Sequence, residues 1–239
     1  MSRLREEQQP PPDRVAFMPE KPVALITGAT GGLGSAIATA LSGTHELLLA
    51  GRPSKRLDEM VSRLSATEVP LDLSDVGSKS PVPVEALDVL VHNAGVAYPD
   101  DLADSRIEDW RTTLEVNVLG PVAVTQALLP ALRRAKGQVI FINSGAGLNV
   151  LPGMASYSAS KFALRAYADS LRIEEPKLRV TSVHAGRIDT AMQRKLVEYE
   201  GGKYDAAHYL KPDTVARAIV DIVGTPADGH VHQIVLRQR

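Results

Sequence analysis

From Val23 onward the chain alternates between short apolar runs and longer amphipathic stretches, and this alternation restricts its fold more than any other feature. Short buried strands separated by helices cross over to parallel neighbours and form a sheet covered on both faces. The runs Val23–Ile26, Glu46–Ala50, Glu68–Leu71, Asp88–His92, Gln138–Asn143, Val180–His184 and Ile234–Leu236 predict about seven strands. Helices are expected over Gly34–Leu41, from behind Gly51-Arg52-Pro53 through Leu64, and over Ala155–Ile173 and Asp213–Val223. A longer one over Ile107–Arg134 is expected to bend near Gly120-Pro121. Right-handed crossovers make this a doubly wound α/β sheet, with ligands at the C-terminal edges of its strands.

A chain of 239 residues fits one such domain, and 44% hydrophobic residues fill its core. Aromatics make up only 4%, so aliphatic side chains carry the packing. A net charge of -1 exerts no pull on nucleic acid or an anionic membrane. No apolar run approaches the ~20 residues of a bilayer span, and the N-terminus lacks an apolar signal region. Cysteine is absent, which excludes disulfides and thiolate metal sites, and no histidine–carboxylate set has metal spacing. The expectation is a soluble, cytoplasmic protein that binds no metal. Residues 1–21, with Pro10-Pro11-Pro12, read as a flexible leader before one domain over 22–239, with Met18 a candidate natural start.

The segment Thr27–Gly34 lies between a strand and a helix, where a phosphate-binding turn belongs. Gly28 permits a tight exit, while Gly32 and Gly34 remove side chains that would block a diphosphate and helix packing. The helix N-terminus offers free N–H groups and a positive dipole end; a bland tight turn is the alternative. The spacing resembles the TGxxxGxG turn of the short-chain dehydrogenase/reductase family, whose fold is a Rossmann-type sheet. That resemblance implies cofactor contacts from Gly28, Thr30, Gly32, Leu33 and Gly34. At the end of the second strand an acidic residue would bind a ribose 2′-OH and repel a 2′-phosphate. The chain has Arg52 there, and a guanidinium pairs with phosphate, so NADP(H) is favoured over NAD(H). An ordinary solvated charge is the other reading of Arg52, and Gly31 stands where many NADP-using relatives carry a second basic residue. Asp72-Leu73 resembles the family's adenine-contacting pair, with a turn cap as the alternative for Asp72. Asn93-Ala94-Gly95 matches its NAG motif, which braces the sheet edge against the cofactor.

Tyr157 and Lys161, four positions apart, share one helix face, and a nearby ammonium favours the tyrosinate. Tyr157 is therefore a candidate general acid/base. Ser144 closes the fifth strand, thirteen positions earlier, and Asn117 lies on the preceding long helix. With these residues in order, the chain resembles the single-domain branch of the family from Val23 to the C-terminus. The resemblance implies that Tyr157 exchanges a proton with a carbonyl or alcohol, and that Lys161 lowers its pKa and binds the nicotinamide ribose. It also implies that Ser144 holds the substrate oxygen, while Asn117 fixes a helix irregularity and a relaying water. Beyond the sixth strand, Gly186, Ile188 and Thr190 are expected beside the nicotinamide, with Ala185 replacing the usual proline and loosening the loop. His184, His92 and His45 read as structural.

Between Ser74 and Ala86, Pro81 and Pro83 argue for a loop where relatives carry a helix. Met192–Tyr209 is strongly charged, and Gly201-Gly202 offers a hinge for a lid. The family implies a homodimer or homotetramer through the two long helices, whose expected outer faces include Leu128, Leu132, Phe162 and Ala166. The reading is an oxidoreductase acting on a small carbonyl or alcohol substrate. An NAD-dependent alcohol dehydrogenase and a non-catalytic nucleotide sensor are the rivals.

Overall fold

In a computed structural model of the chain, residues 21–75 and 84–239 are described. The expected leader (apart from Lys21), the start at Met18 and the prolines of the 74–86 connection lie outside the described residues. Seven strands form one sheet: β1 Val23–Thr27, β2 Glu46–Gly51, β3 Thr67–Pro70, β4 Val89–His92, β5 Gln138–Ser144, β6 Arg179–Ala185 and β7 Gln233–Leu236. Their spatial order is β3-β2-β1-β4-β5-β6-β7, and every pairing is parallel. The chain builds outward from β1 in one direction, returns, and continues from β4 in the other. The crevice between β1 and β4 is thus the switch point where such sheets bind ligands.

The period of two along each strand divides the core in two. Ala24 and Ile26 face a layer made by α1 (Gly32–Leu41), α2 (Lys55–Leu64) and α7 (Pro212–Val223). Val23 and Leu25 face α4 (Gly120–Ala135) and α5 (Ala155–Glu174). Phe141 fills the second layer, fully buried between a stacked His92 ring and the edge of Tyr167. His92 is neutral there, because burial lowers its pKa to about 3.

The expected long helix is present, but its irregularity is not a proline bend. α3 (Ile107–Leu114) runs into a π turn, Glu115–Leu119, which passes directly into α4. Pro121 follows the π turn directly, in the first turn of α4, and Pro130 lies further along the same helix. By length and composition Ile107–Ala135 is apolar enough to cross a bilayer, contrary to the expectation from the sequence. Its Val124, Leu128, Ala131 and Leu132 are nonetheless packed on the sheet. Leu128 and Leu132 therefore face the core, not an outer surface. Charge concealed a further helix, α6 (Ala191–Tyr199), of which only Gln193 and Val197 are buried.

Phe141→Ala should destabilise the fold by about 3–5 kcal/mol, since the cavity lies where neither layer can collapse. Urea denaturation measures this; a loss below about 1 kcal/mol would show that the ring does not hold the second layer.

Candidate active site

One amide organises the glycine turn. Asn93 donates from Nδ2 to the carbonyl oxygens of Thr27 (3.1 Å) and Gly28 (3.0 Å). The Thr27 hydroxyl accepts from the backbone N–H groups of Asn93 and Ala94 and donates to the Val91 carbonyl. Gly28 takes a φ of +64°, and a Cβ there would lie 2.8 Å from Ala94 Cα. At Gly34 a Cβ would stand 2.6 Å from Asn93 Nδ2, so α1 reaches the sheet only through a glycine.

Beyond that turn Gly31 and Gly32 are exposed, while Leu33 is buried in the core. No side chain caps the start of α1, and its first turn carries no acidic residue. Open N–H groups at a dipole's positive end fit the diphosphate of a dinucleotide. Thr30 is half-buried on the same turn.

At the neighbouring strand ends Arg52 is exposed, and Ser54 behind it caps α2 by accepting from Leu57 N–H. Asp72 acts as a turn cap: its Oδ1 accepts from the N–H (3.0 Å) and the hydroxyl (2.7 Å) of Ser74. These bonds, and secondarily the Arg52 charge, hold its carboxyl below the usual range. Leu73 is buried against Gly120, where a Cβ would come within 2.9 Å of it.

The π turn brings Asn117 to the second half of the site. Asn117 is 1% exposed; its Oδ1 accepts from Val96 N–H, and its Nδ2 donates to the Val96 carbonyl and to Ser160 Oγ. A Cβ on Gly95 would sit 3.2 Å from that Oδ1 and 3.9 Å from Lys161 Nζ. Asn93-Ala94-Gly95 thus joins the glycine turn to the Asn117–Lys161 pair within three residues.

Ser144 is placed by its neighbour Asn143, whose Oδ1 accepts from the Ser144 N–H and whose Nδ2 donates to the Lys161 carbonyl. His184, also fully buried, meets the Ser144 carbonyl through Nδ1 at 3.1 Å. His184 thus props the serine through its backbone carbonyl. The Ser144 hydroxyl accepts from Ala146 N–H and lies near enough to Tyr157 to oppose the rise of its pKa. Lys161 Nζ donates to the Ile142 carbonyl at 3.0 Å and lies 5.6 Å from the Tyr157 ring centroid.

Burial governs both titrating groups. It pushes the Tyr157 phenol up, against the smaller lowering effect of the Ser144 hydrogen bond. It brings the Lys161 ammonium down to about 8. The sequence leads to the expectation that Lys161 draws the tyrosine down; in this structure the lowering influence comes from Ser144, and desolvation outweighs it.

Ala185 ends β6, paired with both Ser144 and Leu236. Gly186 N–H then donates to the Leu236 carbonyl, and Ile188 bridges to Leu210. Thr190 caps α6 by accepting from Gln193 N–H, and its methyl lies 3.2 Å from where a Cβ on Gly32 would be. Across the cleft, α6 docks through Tyr199, which donates to Asp101 (3.4 Å) and packs on Gly153. Tyr204 binds Asp189 beneath the Arg194 guanidinium, 4.2 Å from its ring centroid. Gly201, at φ +67°, ends the helix where the hinge is expected.

The sheet edge thus carries an open phosphate turn and a half-buried Ser144 and Tyr157 with a buried Lys161 and Asn117, the arrangement of a nicotinamide-dependent oxidoreductase. Residues 22–201 match the family described as short chain dehydrogenase, and the chain belongs to that family. It is 34% identical over 226 residues to the dehydrogenase/reductase SDR family member 7B of Mus musculus, covering 84% of this chain and 70% of that one. It is 33% identical to the glycine betaine reductase ATRR of Emericella nidulans over 91% of this chain but only 19% of that protein. Among solved structures it resembles an archaeal Thermococcus sibiricus alcohol dehydrogenase complexed with 5-hydroxy-NADP (TM-score 0.83, 30% identity, 92% and 97% of the two chains). It also resembles a serine dehydrogenase complexed with NADP+ (TM-score 0.80, 27% identity, 90% and 94%). The protein is an oxidoreductase acting between CH–OH and C=O with a nicotinamide dinucleotide.

Lys161 gives the site a pH signature. Its folded pKa, about 8, lies below the unfolded 10.5, so the unfolded chain holds the extra proton between those values. Its burial cost is present in full below pH 8 and is relieved as pH rises toward 10.5, by up to about 3 kcal/mol. The raised Tyr157 acts in the opposite sense, but only above pH 10. The stability gap between Lys161→Met and the wild-type chain should therefore narrow from pH 7.5 to 10. A gap constant over that range would contradict a desolvated ammonium.

Proposed function

We propose that the protein is an NADP(H)-dependent oxidoreductase of ketones, aldehydes and secondary alcohols, working mainly as a reductase, with Tyr157 as general acid/base. The carrying observation is Tyr157 with Ser144 at the strand end and the Lys161 ammonium 5.6 Å from its ring, beside a buried Asn117. When bound, the nicotinamide donates or accepts the hydride. Ser144 then holds the substrate oxygen, where charge develops during reduction, and Tyr157 delivers a proton to it. A phenol kept protonated by burial is in the form that reduction requires. Lys161 binds the nicotinamide ribose and supplies the charge that later stabilises the tyrosinate. Asn117 holds the water that returns the proton from solvent.

For the cofactor, Gly28, Thr30, Gly32, Leu33 and Gly34 hold the diphosphate, Asp72 and Leu73 the adenine, and Asn93, Ala94 and Gly95 the cleft floor. Gly186, Ile188 and Thr190 line the nicotinamide end. The exposed Arg52 supports a 2′-phosphate, as do the NADP ligands named for both solved relatives. NAD(H) remains the second reading, because Asp72 already draws on the Arg52 charge and Gly31 brings no second cation. Homodimers or tetramers are supported by exposed apolar side chains on the long helices, Leu114, Leu119 and Phe162 among them. Sedimentation at micromolar concentration tests this, and a monomer would oppose it.

Tyr157→Phe should lower turnover of a carbonyl panel by at least about 1,000-fold while NADPH fluorescence titrations change by less than about threefold. Retained turnover would sink the acid/base role. Arg52→Ala should weaken NADPH by about 10-fold or more and leave NADH nearly unchanged. Equal affinity of the wild-type protein for both would remove the argument from Arg52.

A further inference from the structure

Arg237, the first residue beyond β7, has no part in the reading so far, yet its guanidinium lies at the active edge of the sheet. Its Cζ is 3.2 Å from the point where a side chain on Gly145 would begin, so a glycine directly after Ser144 is what admits it. Gln238 lies in the same way at Gly186, with Oε1 2.5 Å from that glycine's Cβ position. The two side chains cross the ends of β5 and β6, with the cation on the Ser144 side. Adding bond lengths along the path, Arg237 Cζ stands no more than about 11 Å from the Ser144 hydroxyl oxygen.

The neighbouring charges are already matched. Asp169 is bound by Arg172 at 2.7 Å and approached by Arg165 at 3.9 Å, and Arg187 and Arg194 are paired with Glu200 and Asp189. Among the described residues no carboxylate pairs with Arg237. His184 feels its charge: burial holds the ring's pKa down, and Arg165 and, more weakly, Arg237 add to that effect against Asp169. An exposed guanidinium without its own carboxylate, beside the serine that holds the reacting oxygen, has the chemistry of an anion receptor. Hydrogen bonds of about 2.8 Å at each end leave at most roughly 5 Å between the substrate's reacting oxygen and its anion. A carboxylate no more than two or three carbons along a short chain falls within that limit.

We propose that Arg237 selects short oxo acids and hydroxy acids as substrates by binding their carboxylate. This rests on the oxidoreductase reading and adds no chemical step to it.

The test compares oxidation of 2- and 3-hydroxybutyrate with that of their methyl esters, using the full chain with NADP+ and NAD+. The wild-type protein should favour the acids. Arg237→Ala should reduce the acid-to-ester ratio of kcat/KM by about 10- to 100-fold, mainly through KM, with Arg237→Lys intermediate. Arg237→Gln, which keeps the packing and loses the charge, should follow Arg237→Ala if charge is what counts. An unchanged ratio, or a wild-type preference for esters, overturns the proposal while leaving the oxidoreductase reading intact. If no alcohol or ketone is turned over, that reading fails instead. Calorimetric binding of 3-hydroxybutyrate to Tyr157→Phe protein with NADP+ then decides Arg237 alone: an affinity indifferent to Arg237→Ala refutes it, and a loss of about 10-fold or more supports it.

Discussion

The two hydrogen bonds from the Asn93 amide to the Thr27 and Gly28 carbonyls hold the site together. They tie β4 to the turn leaving β1 at the one place where the order of strands reverses. With that turn fixed, α1 can descend until Gly34 touches Asn93, and its uncapped N–H groups then face the crevice. Two residues further along the same segment, Gly95 lies against Asn117 and Lys161. A backbone carbonyl left unpaired in this interior costs about 1–3 kcal/mol, so the brace is fixed by polar satisfaction as much as by shape.

Burial then sets the chemistry. Tyr157 is pushed toward its protonated form and Lys161 toward its neutral form, so each resists the charge that the other would stabilise. A pair poised this way responds strongly to any charge that arrives beside it, because little solvent screens the interaction. Ser144 is the counterweight, lowering the phenol's pKa against burial, with its own peptide pinned by Asn143 and His184.

Much of this was legible in the sequence because strands and turns announce themselves locally. The apolar runs located all seven strands to within a residue or two, and the motif spacing gathered Asn117, Ser144, Tyr157 and Lys161 before any coordinates. Long-range effects were not legible. The π turn depends on i→i+5 bonding that no residue type signals: the composition points to a bend at Gly120-Pro121, and only the family resemblance implies an irregularity at Asn117, where the turn lies. Leu128 and Leu132 look like outer-face residues until the sheet is placed beneath them. α6 is too charged to show an apolar stripe, and its anchor, Tyr199 on Gly153, spans 46 positions. Arg237 carries no motif at all; its significance comes from reaching across two strand ends.

The π turn carries a consequence for how this helix tolerates change. A π segment holds one residue more than the regular helix it interrupts, and each residue of an α-helix turns its successor by about 100°. Deleting a single residue between Glu115 and Leu119 would leave an unbroken helix of better hydrogen bonding. It would also rotate α3 by roughly a quarter-turn against α4 and withdraw the Asn117 amide from Val96 and Ser160. The more regular helix would be the one without a site.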